Sequence, residues 1–419
     1  MMRSDSWSLL LPPLGILLLG LALLTLQHGG VPGSILVALP WMAGCIFVAI
    51  LIQFALLGSR LPANPWMFPC AMFLTSIGLV MIARLKLELL PAQFRWLLVG
   101  LLVFLAMLRM RARILRMTDY PYLLGIGCLV LLLLPLLFGT EIGGSRSWLV
   151  LGSMRVQPSE FSKIFLVLFL AAYLSAHRHV LALPNRKILF LRLPPFRFIA
   201  PLLSIWGAAV LMFVVARDLG AALLFFGIAV LMTYMATGNK SYVFLAFSFF
   251  TLGCVASYFA FGHVQARFDI WLDPWKDPSG MAYQVTQSLF ALGSGGVWGS
   301  GFAHGYPDVI PEVYTDFIFS AIGEEFGLAG ALMLMLVYAL FFYEGIRVAL
   351  TRQTPAHMLL SAGAISLLFL QAFVIIAGVT KFLPLTGITL PFVSYGGSSM
   401  VSSFLLLGLL IAASREEAR

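Results

Sequence analysis

Long apolar stretches, separated by short polar or turn-forming segments, run along almost the whole chain. A membrane-spanning helix needs about 20 consecutive apolar residues, and most of the stretches approach that length. Because a backbone in lipid must satisfy its own hydrogen bonds, we expect helices and no strands. The twelve predicted crossings are 9–27, 35–57, 67–83, 94–108, 121–138, 160–176, 199–216, 218–237, 243–261, 313–343, 356–380 and 392–412.

Composition narrows the class of protein. The 419 residues are 61% hydrophobic and 10% charged, whereas soluble chains carry about 45–50% apolar and about 25% charged residues. This excludes a secreted soluble enzyme, a nucleic-acid-binding domain and a disordered scaffold. We therefore predict an all-α, polytopic integral membrane protein, with membrane lipids and no nucleic acid among its partners.

The net charge of +9 is best explained as a topology signal. Cytoplasmic loops of membrane proteins are enriched in Lys and Arg. With a cytoplasmic N-terminus, 16 basic residues lie inside and 10 outside, and the two densest clusters, within 109–116 and 178–197, are both inside. An even number of crossings then places the C-terminus in the cytoplasm and leaves segments 139–159 and 262–312 outside.

Acidic residues are rare but concentrated in one region. Of the 17, eight lie between Asp269 and Glu325. Neighbouring carboxylates raise one another's pKa, and a carboxylate that can take up a proton is what general-base catalysis requires. A hydrated loop explains most of the eight equally well. Segment 271–284 (WLDPWKDPSGMAYQ) is more informative, because its Asp–Pro steps stiffen the backbone and its aromatic residues could seat it at the lipid headgroups.

Other charged residues lie at membrane depth, where they are costly and normally face the interior of the bundle. Glu160 and Lys163 are three residues apart at a predicted helix start and therefore share a face. An internal ion pair and a role in gripping an anionic head group both fit them. Glu324 and Glu325, within a long apolar stretch, need cationic partners. The available cations are Lys163, Arg217 and Lys381.

Patterns typical of metal or nucleotide sites are weak. The glycine-rich run 293–301 lacks the spacing of a phosphate-binding loop and predicts a flexible external turn. The six histidines show no ligand spacing, and the four cysteines lie within apolar stretches as expected for buried thiols. The sequence therefore indicates no metal site and no bound cofactor.

Four sequence blocks stand out in order along the chain. They are GSRSWLVLGSMRVQPSEFSKIFLV (144–167), DPWKDPSGMAYQVTQSLFALGSGG (273–296), PEVYTDFIFSAIGEEFGLAG (311–330) and TKFLPLTGITLPFVSYGGSSM (380–400). Together they resemble the SEDS family of shape, elongation, division and sporulation proteins, which includes RodA, FtsW and SpoVE. The resemblance covers about residues 67–412.

The resemblance implies a fold of ten core helices in 67–412, with a large external loop at about 262–312. Residues 1–66 are then an N-terminal extension of two helices, and 413–419 a cytoplasmic tail. It also implies a function: a peptidoglycan glycosyltransferase that polymerises lipid II on the outer face of the bacterial cytoplasmic membrane, for elongation, division or sporulation. The implied partner is a class B penicillin-binding protein, a transpeptidase.

The same resemblance implies roles for individual residues. Asp277 matches the family's catalytic aspartate and would deprotonate the acceptor sugar hydroxyl, with Asp273 as the second candidate. Arg146, Glu160 and Lys163 would line the cavity that receives the pyrophosphate or would organise the loop. A divalent cation could screen the pyrophosphate, although no cluster of ligands demands one.

The chain departs from the family pattern at three positions. Ala282 replaces a usual Gly, and Arg217 and Lys381 add positive charges on the external side. We expect Arg217 and Lys381 either to pair with Glu324 and Glu325 or to contact substrate phosphate.

Two other classes of function stay open at this point. A lipid flippase or transporter fits the intramembrane charges, although the sequence shows no evident inverted repeat. A non-catalytic scaffold for the transpeptidase is the other alternative.

Overall fold

The computed structural model describes residues 8–27, 32–58, 64–142, 144–152, 154–182, 186–188, 191–352 and 354–413. Four of the predicted cytoplasmic basic residues, Arg3, Arg60, Arg415 and Arg419, lie outside these ranges, as does the predicted tail beyond its first residue.

Within the described ranges the chain forms fifteen α-helices. They are α1 (Leu11–Gln27), α2 (Pro32–Gly58), α3 (Met67–Leu85), α4 (Leu90–Arg109), α5 (Arg111–Met117), α6 (Pro121–Phe138), α7 (Pro158–Ala182), α8 (Phe196–Ala216), α9 (Leu219–Thr237), α10 (Lys240–Ala260), α11 (Gly262–Leu272), α12 (Tyr283–Ser294), α13 (Ile318–Leu350), α14 (Pro355–Val379) and α15 (Gly397–Ala412). Ten of these helices are long and apolar enough to cross a membrane, and shorter apolar helices lie at Ser8–Leu24 and Gly397–Ala412. The prediction of an all-α, polytopic membrane protein is confirmed.

The expectation of no strands is wrong for the loops. Between α6 and α7, strands β1 (Thr140–Ile142), β2 (Ser145–Leu151) and β3 (Met154–Val156) form an antiparallel sheet. Strands β4 (Arg186–Ile188) and β5 (Leu191–Leu193) pair between α7 and α8. These segments lie outside the predicted crossings, so water can satisfy their edges, and the rule against strands in lipid does not apply to them.

Tight turns between consecutive spans are made by specific capping residues. Asp218 accepts a hydrogen bond from the backbone N–H of Ala221 at 3.0 Å and so caps the start of α9. Gly238 ends α9 in the left-handed conformation, and the side chain of Asn239 accepts from Ser241 N at 3.0 Å to start α10. Side-chain caps and left-handed residues satisfy the free N–H and C=O groups at helix ends. Two residues are therefore enough to reverse the chain.

The chain divides into two compact units. The first contains residues 1–103, 269–345 and 371–407. In this unit α3 is largely buried, and α1 packs on it with Gly20 against Val80. Gly78, on the same helix, packs against the backbone of Val393. Small residues that let helices approach closely are typical of membrane bundles.

The second unit contains residues 104–268, 346–370 and 408–419. Its central helix is α7, which packs against α6, α8 and α9. By contrast, Tyr242 is the single buried residue of α10, and its hydroxyl donates to Leu181 O at 3.1 Å. The opposite end of α10, near Ala260, therefore makes little contact with the rest of this unit.

Candidate active site

Asp277 lies in a short connection between α11 and α12, directly after the 3₁₀ turn Pro274–Lys276. Its side chain is exposed. One carboxylate oxygen, Oδ2, accepts a hydrogen bond from Met281 N at 3.0 Å. In the described part of the chain, no cation forms an ion pair with this carboxylate. One oxygen is thus fixed and the other faces solvent.

Gly280 makes room for that carboxylate. A Cβ placed on Gly280 would overlap both oxygens of Asp277 and lie 2.6 Å from its Cγ. The backbone of Gly280 does not have a positive φ, so space and not conformation is what requires glycine there. The turn is therefore shaped around the position of one side chain.

Asp273 has a different local role. Its Oδ1 accepts from Trp275 N at 3.1 Å and caps the 3₁₀ turn. A side chain that bonds the backbone two residues ahead is a common way to start a turn. Asp273 therefore shapes the segment that leads to Asp277.

The turn after α14 holds the segment before Asp277. Trp271 Nε1 donates to Lys381 O at 3.2 Å, and Lys381 Nζ lies 3.5 Å from Leu272 O. Lys381 has a left-handed backbone with φ 61°. In the structure Lys381 thus contacts the loop backbone.

Contacts also join the start of α12 to the later part of the loop. Tyr283 and Gln284 reach the carbonyl oxygens of Val309 and Pro311, each at 3.5 Å. Ala282, which replaces the family's usual Gly, is buried and has a φ of −87°. A negative φ is open to any L-residue, so this departure is accommodated without strain.

The glycine-rich run is not the flexible turn that its composition suggests. Helix α13 is interrupted at Gly327, whose φ of 66° is non-helical. The interruption leaves backbone carbonyls without helical partners, and the glycine-rich run donates hydrogen bonds to two of them. Ser300 N donates to Glu324 O at 2.9 Å, and Gly301 N donates to Glu325 O at 3.0 Å. The expectation of flexibility is wrong because these hydrogen bonds fix the run to the break in α13.

A buried arginine that the sequence reading missed lies beside this break. Arg84 Nε is 3.0 Å from Glu325 Oε1, and its Nη1 is 3.2 Å from Asp308 Oδ2. Nη2 also donates to Gly305 O at 3.1 Å. Because Arg84 and Glu325 are both buried, the pair is desolvated, and each charge depends on the other.

The expected pairing of Arg217 or Lys381 with the adjacent glutamates is wrong. Glu325 pairs with Arg84, and Glu324 accepts from Tyr306 N at 2.8 Å through its side chain. Arg84 ends an apolar stretch, and its partner lies 241 positions later, so no local pattern connects the two. The one signal in the sequence was the basic residue at the end of a crossing.

A second polar group, in the other compact unit, surrounds the start of α7. Glu160 and Lys163 form the predicted ion pair, with Lys163 Nζ 2.6 Å from Glu160 Oε2 and Lys163 almost fully buried. Gln157 Nε2 lies 3.5 Å from Asp218 Oδ2. Burial raises the pKa of Asp218, and the nearby Glu160 charge adds to this, while hydrogen bonds and Arg267 act in the opposite direction.

Arg217 and Arg146 lie at the exposed edge of this second group. Arg217 ends α8 in the left-handed conformation, and its Nη1 is 3.8 Å from Glu141 Oε1. Arg146 lies on β2, and its Nε donates to Gly139 O at 3.1 Å. Ser145 Oγ donates to Ala216 O at 3.1 Å, so the sheet is attached to the end of α8.

The predicted site residues thus fall into two sets, each described within its own unit. Asp273, Asp277 and Lys381 belong to one unit, and Arg146, Glu160, Lys163 and Arg217 belong to the other. Their roles in binding and catalysis stay predictions.

Comparison with known proteins identifies the family. The profile described as cell cycle protein, for FtsW, RodA and SpoVE, matches residues 65–419. The peptidoglycan glycosyltransferase RodA of Mycobacterium tuberculosis strain H37Rv is 37% identical over 360 residues, covering 83% of this chain and 77% of that protein. Stage V sporulation protein E of Bacillus subtilis is 34% identical over 302 residues, covering 71% and 79%.

Solved structures of proteins in this family also match the chain. A peptidoglycan synthase complex matches with a TM-score of 0.69 and 26% identity, covering 84% of this chain and 98% of that one. RodA of Thermus thermophilus matches with a TM-score of 0.62 and 25% identity, covering 86% and 99%. The enzyme class expected from the four sequence blocks, a peptidoglycan glycosyltransferase, is confirmed by these relatives. The chain belongs to the FtsW, RodA and SpoVE family of cell cycle proteins.

Proposed function

We propose that this protein polymerises lipid II into glycan strands, with Asp277 as the general base. The observation that carries the proposal is the exposed carboxylate of Asp277, held by Met281 N in a turn that Gly280 keeps open. The family match extends over the loop that contains it. A positioned base within hydrogen-bond reach of a hydroxyl contributes about 10²–10⁴-fold to a reaction rate.

The reaction requires one proton transfer and one exchange of bonds. The solvent-facing oxygen of Asp277 accepts the proton of the acceptor sugar hydroxyl. The hydroxyl oxygen then forms a bond to the anomeric carbon of the donor, while the bond from that carbon to the pyrophosphate breaks. Undecaprenyl pyrophosphate leaves with the electron pair. Because Asp277 is exposed, it returns the proton directly to water.

The basic residues of the second unit suit an anionic substrate. Lys163 is desolvated beside Glu160, and Arg146 and Arg217 are exposed at the same end of the unit. We assign these side chains to the pyrophosphate, because guanidinium and ammonium groups form charge-assisted hydrogen bonds to phosphate. No group of three His, Cys, Asp or Glu side chains in the described residues could hold a metal ion.

The orientation follows from the distribution of charge. The positive-inside rule places both termini in the cytoplasm and Asp277 on the outer face of the bacterial cytoplasmic membrane. The class B penicillin-binding protein is the proposed partner, since a matching structure is described as coordinating polymerization with crosslinking.

A polymerisation assay tests the proposal. Purified protein is reconstituted into liposomes with fluorescent lipid II, with and without the purified transpeptidase, and the products are separated by gel electrophoresis. We expect glycan chains longer than the disaccharide unit. Movement of lipid II between leaflets without polymer would indicate a flippase. Polymer that forms only with the partner's own catalytic residues intact would indicate a scaffold.

A further inference from the structure

A groove with a volume of about 370 Å³ runs along α6 in the second unit. It begins at Met117 and Tyr120, which precede α6, and it continues along α6 as far as Val130. Phe165 of α7 also lines it. Apart from the hydroxyl of Tyr120, all the lining side chains are apolar. The groove therefore suits a hydrocarbon chain and not a polar ligand.

Gly127 shapes the groove by its lack of a side chain. A Cβ on Gly127 would lie 2.9 Å from the ring of Phe165, so glycine lets this ring pack against the backbone of α6. The neighbouring side chains of Leu123, Ile126 and Val130 are 67%, 58% and 50% exposed. Because α6 is long and apolar enough to cross a membrane, exposed side chains on it face hydrocarbon. The groove is therefore open to lipid.

The length of the groove matches one leaflet of a bilayer. Tyr120 and Val130 are ten positions apart, which corresponds to about 15 Å along a helix. The hydrocarbon core of a bilayer is about 30 Å thick, so the groove reaches about halfway across. A helix segment about 15 Å long and about 10 Å wide has a volume of about 1,200 Å³, roughly three times that of the groove. An acyl chain fits this space, and a partner's helix does not.

Helix α5 brings positive charge to the entrance of this groove. Arg113 is three residues before Arg116 and four before Met117, so the three side chains share one helix face. Both arginines are exposed, whereas the neighbouring Ile114 is buried and holds α5 against the protein. Arg116 Nε donates to Ala112 O at 3.2 Å, which leaves both of its Nη groups for another acceptor. Because Met117 lines the groove, an anion at this face of α5 lies at its entrance.

The charge of Arg113 and Arg116 is not neutralised within the protein. Residues 109–120, all of them described, contain four arginines and one acidic residue, Asp119. None of the ion pairs in the described part of the chain includes Arg113 or Arg116. The turn from α5 to α6 is compact, because Asp119 N donates to Arg116 O and Tyr120 N to Met117 O, each at 3.1 Å. The two arginines are therefore held close to the apolar entrance.

We propose that the groove binds an acyl chain of an anionic phospholipid, with Arg113 and Arg116 binding the phosphate of its head. Guanidinium groups form charge-assisted hydrogen bonds to phosphate oxygens. The net negative charge matters, because the ammonium of a zwitterionic head would repel the arginines. The orientation proposed above places this end of α6 in the cytoplasmic leaflet, where anionic lipids attract basic segments beside membrane spans. No residue assigned to the reaction or to the pyrophosphate takes part in this site.

Binding is tested by native mass spectrometry of the full-length protein in detergent. The probes are dioleoylphosphatidylglycerol, dioleoylphosphatidylcholine, which has the same chains and no net charge, and dihexanoylphosphatidylglycerol, which has the same head and short chains. We expect dioleoylphosphatidylglycerol to bind about tenfold more tightly than dioleoylphosphatidylcholine, and more tightly than the short-chain lipid. Equal binding of the two dioleoyl lipids overturns the proposal, and so does equal binding of the two phosphatidylglycerols.

Two variants separate the head from the chain, and the melting temperature of each confirms that it is folded. The double variant Arg113→Gln/Arg116→Gln should lose the preference for phosphatidylglycerol and keep the binding of phosphatidylcholine. Ile126→Trp adds a large ring at an exposed lining position and should weaken the binding of both dioleoyl lipids while their ratio stays the same. The matched control, Arg155→Gln/Arg197→Gln, removes two exposed arginines that do not line the groove, and it should bind as the wild type does.

Loss of the preference in the control as well as in the double variant would indicate general charge attraction and overturn the site. Unchanged lipid binding by a folded Ile126→Trp protein would overturn the assignment of the groove. If that variant instead lost its complex with the transpeptidase and kept its lipid binding, the groove would belong to a partner's helix. Because the measurement involves no polymerisation, its failure leaves the proposed reaction standing, and failure of the reaction leaves the site standing.

Discussion

Replacing Gly280 with Ala should slow polymerisation without removing any catalytic group. The added Cβ would lie 2.6 Å from Cγ of Asp277 and overlap its oxygens. To reach ordinary contact at 3.4 Å, the carboxylate must move by at least 0.8 Å, which breaks its hydrogen bond to Met281 N. A misplacement of about 1 Å at a reacting group costs about 10²-fold in rate. We therefore expect kcat to fall about 10²-fold.

The assay is the initial rate of lipid II polymerisation at several substrate concentrations, together with the melting temperature. KM should change little, since Gly280 does not touch the groups assigned to the pyrophosphate. The substitution should alter the free energy of unfolding by less than about 1 kcal/mol, because the site is exposed. The matched control is Gly293→Ala in α12, where an added Cβ meets no atom within 4 Å. Wild-type kcat in a folded Gly280→Ala protein would refute the reasoning.

Three further predictions concern the structure around the site. Arg84→Met leaves the buried carboxylate of Glu325 unpaired and should reduce the free energy of unfolding by about 3–5 kcal/mol. The double variant with Glu325→Gln should recover part of that loss in thermal unfolding, and no recovery would contradict the pairing. Lys381→Gly relieves a left-handed backbone at φ 61° and should stabilise the protein by about 1 kcal/mol. A fall in melting temperature would instead show that the contacts of Lys381 with the loop dominate. Because burial raises the folded-state pKa of Asp218 above its usual value, its contribution to stability is complete at low pH and is lost as the pH rises through the raised pKa. Asp218→Asn should remove this part of the pH dependence, measured as melting temperature against pH, and an unchanged profile would argue against it.

The apolar pattern was sufficient to predict the long helices, because a lipid-embedded backbone has few alternatives. It did not predict the short helices α5, α11 and α12, which lie outside the predicted crossings. It could not predict the break in α13. Gly327 lies in a long apolar stretch, and only the adjacent Glu324 and Glu325 indicated that the helix there was unusual. The loop sheet was missed for another reason. Its strands lie in a segment that was treated as a connection, although Gly152 separates two stretches of extended residues.

The candidate site also has features that the sequence predicts and features that it does not. The choice of Asp277 rests on a local motif, and its catalytic role stays a prediction. The Glu160–Lys163 pair could be predicted because a spacing of three residues places both side chains on one helix face. Arg84 could not be paired with Glu325, since the two residues are 241 positions apart and meet only in the folded unit. The role of Gly280 could not be predicted from the sequence either, because it depends on the direction of the neighbouring Asp277 side chain.

The central claim, that Asp277 is the general base, is tested most directly by comparing two aspartate-to-asparagine variants. The measurement is the initial rate of lipid II polymerisation by purified Asp277→Asn and Asp273→Asn proteins of matched melting temperature. Asparagine at position 273 can still accept the hydrogen bond from Trp275 N, so that variant should retain most of its activity. The account predicts a fall of about 10²–10⁴-fold for Asp277→Asn. A rate equal to that of the wild type for Asp277→Asn would contradict it.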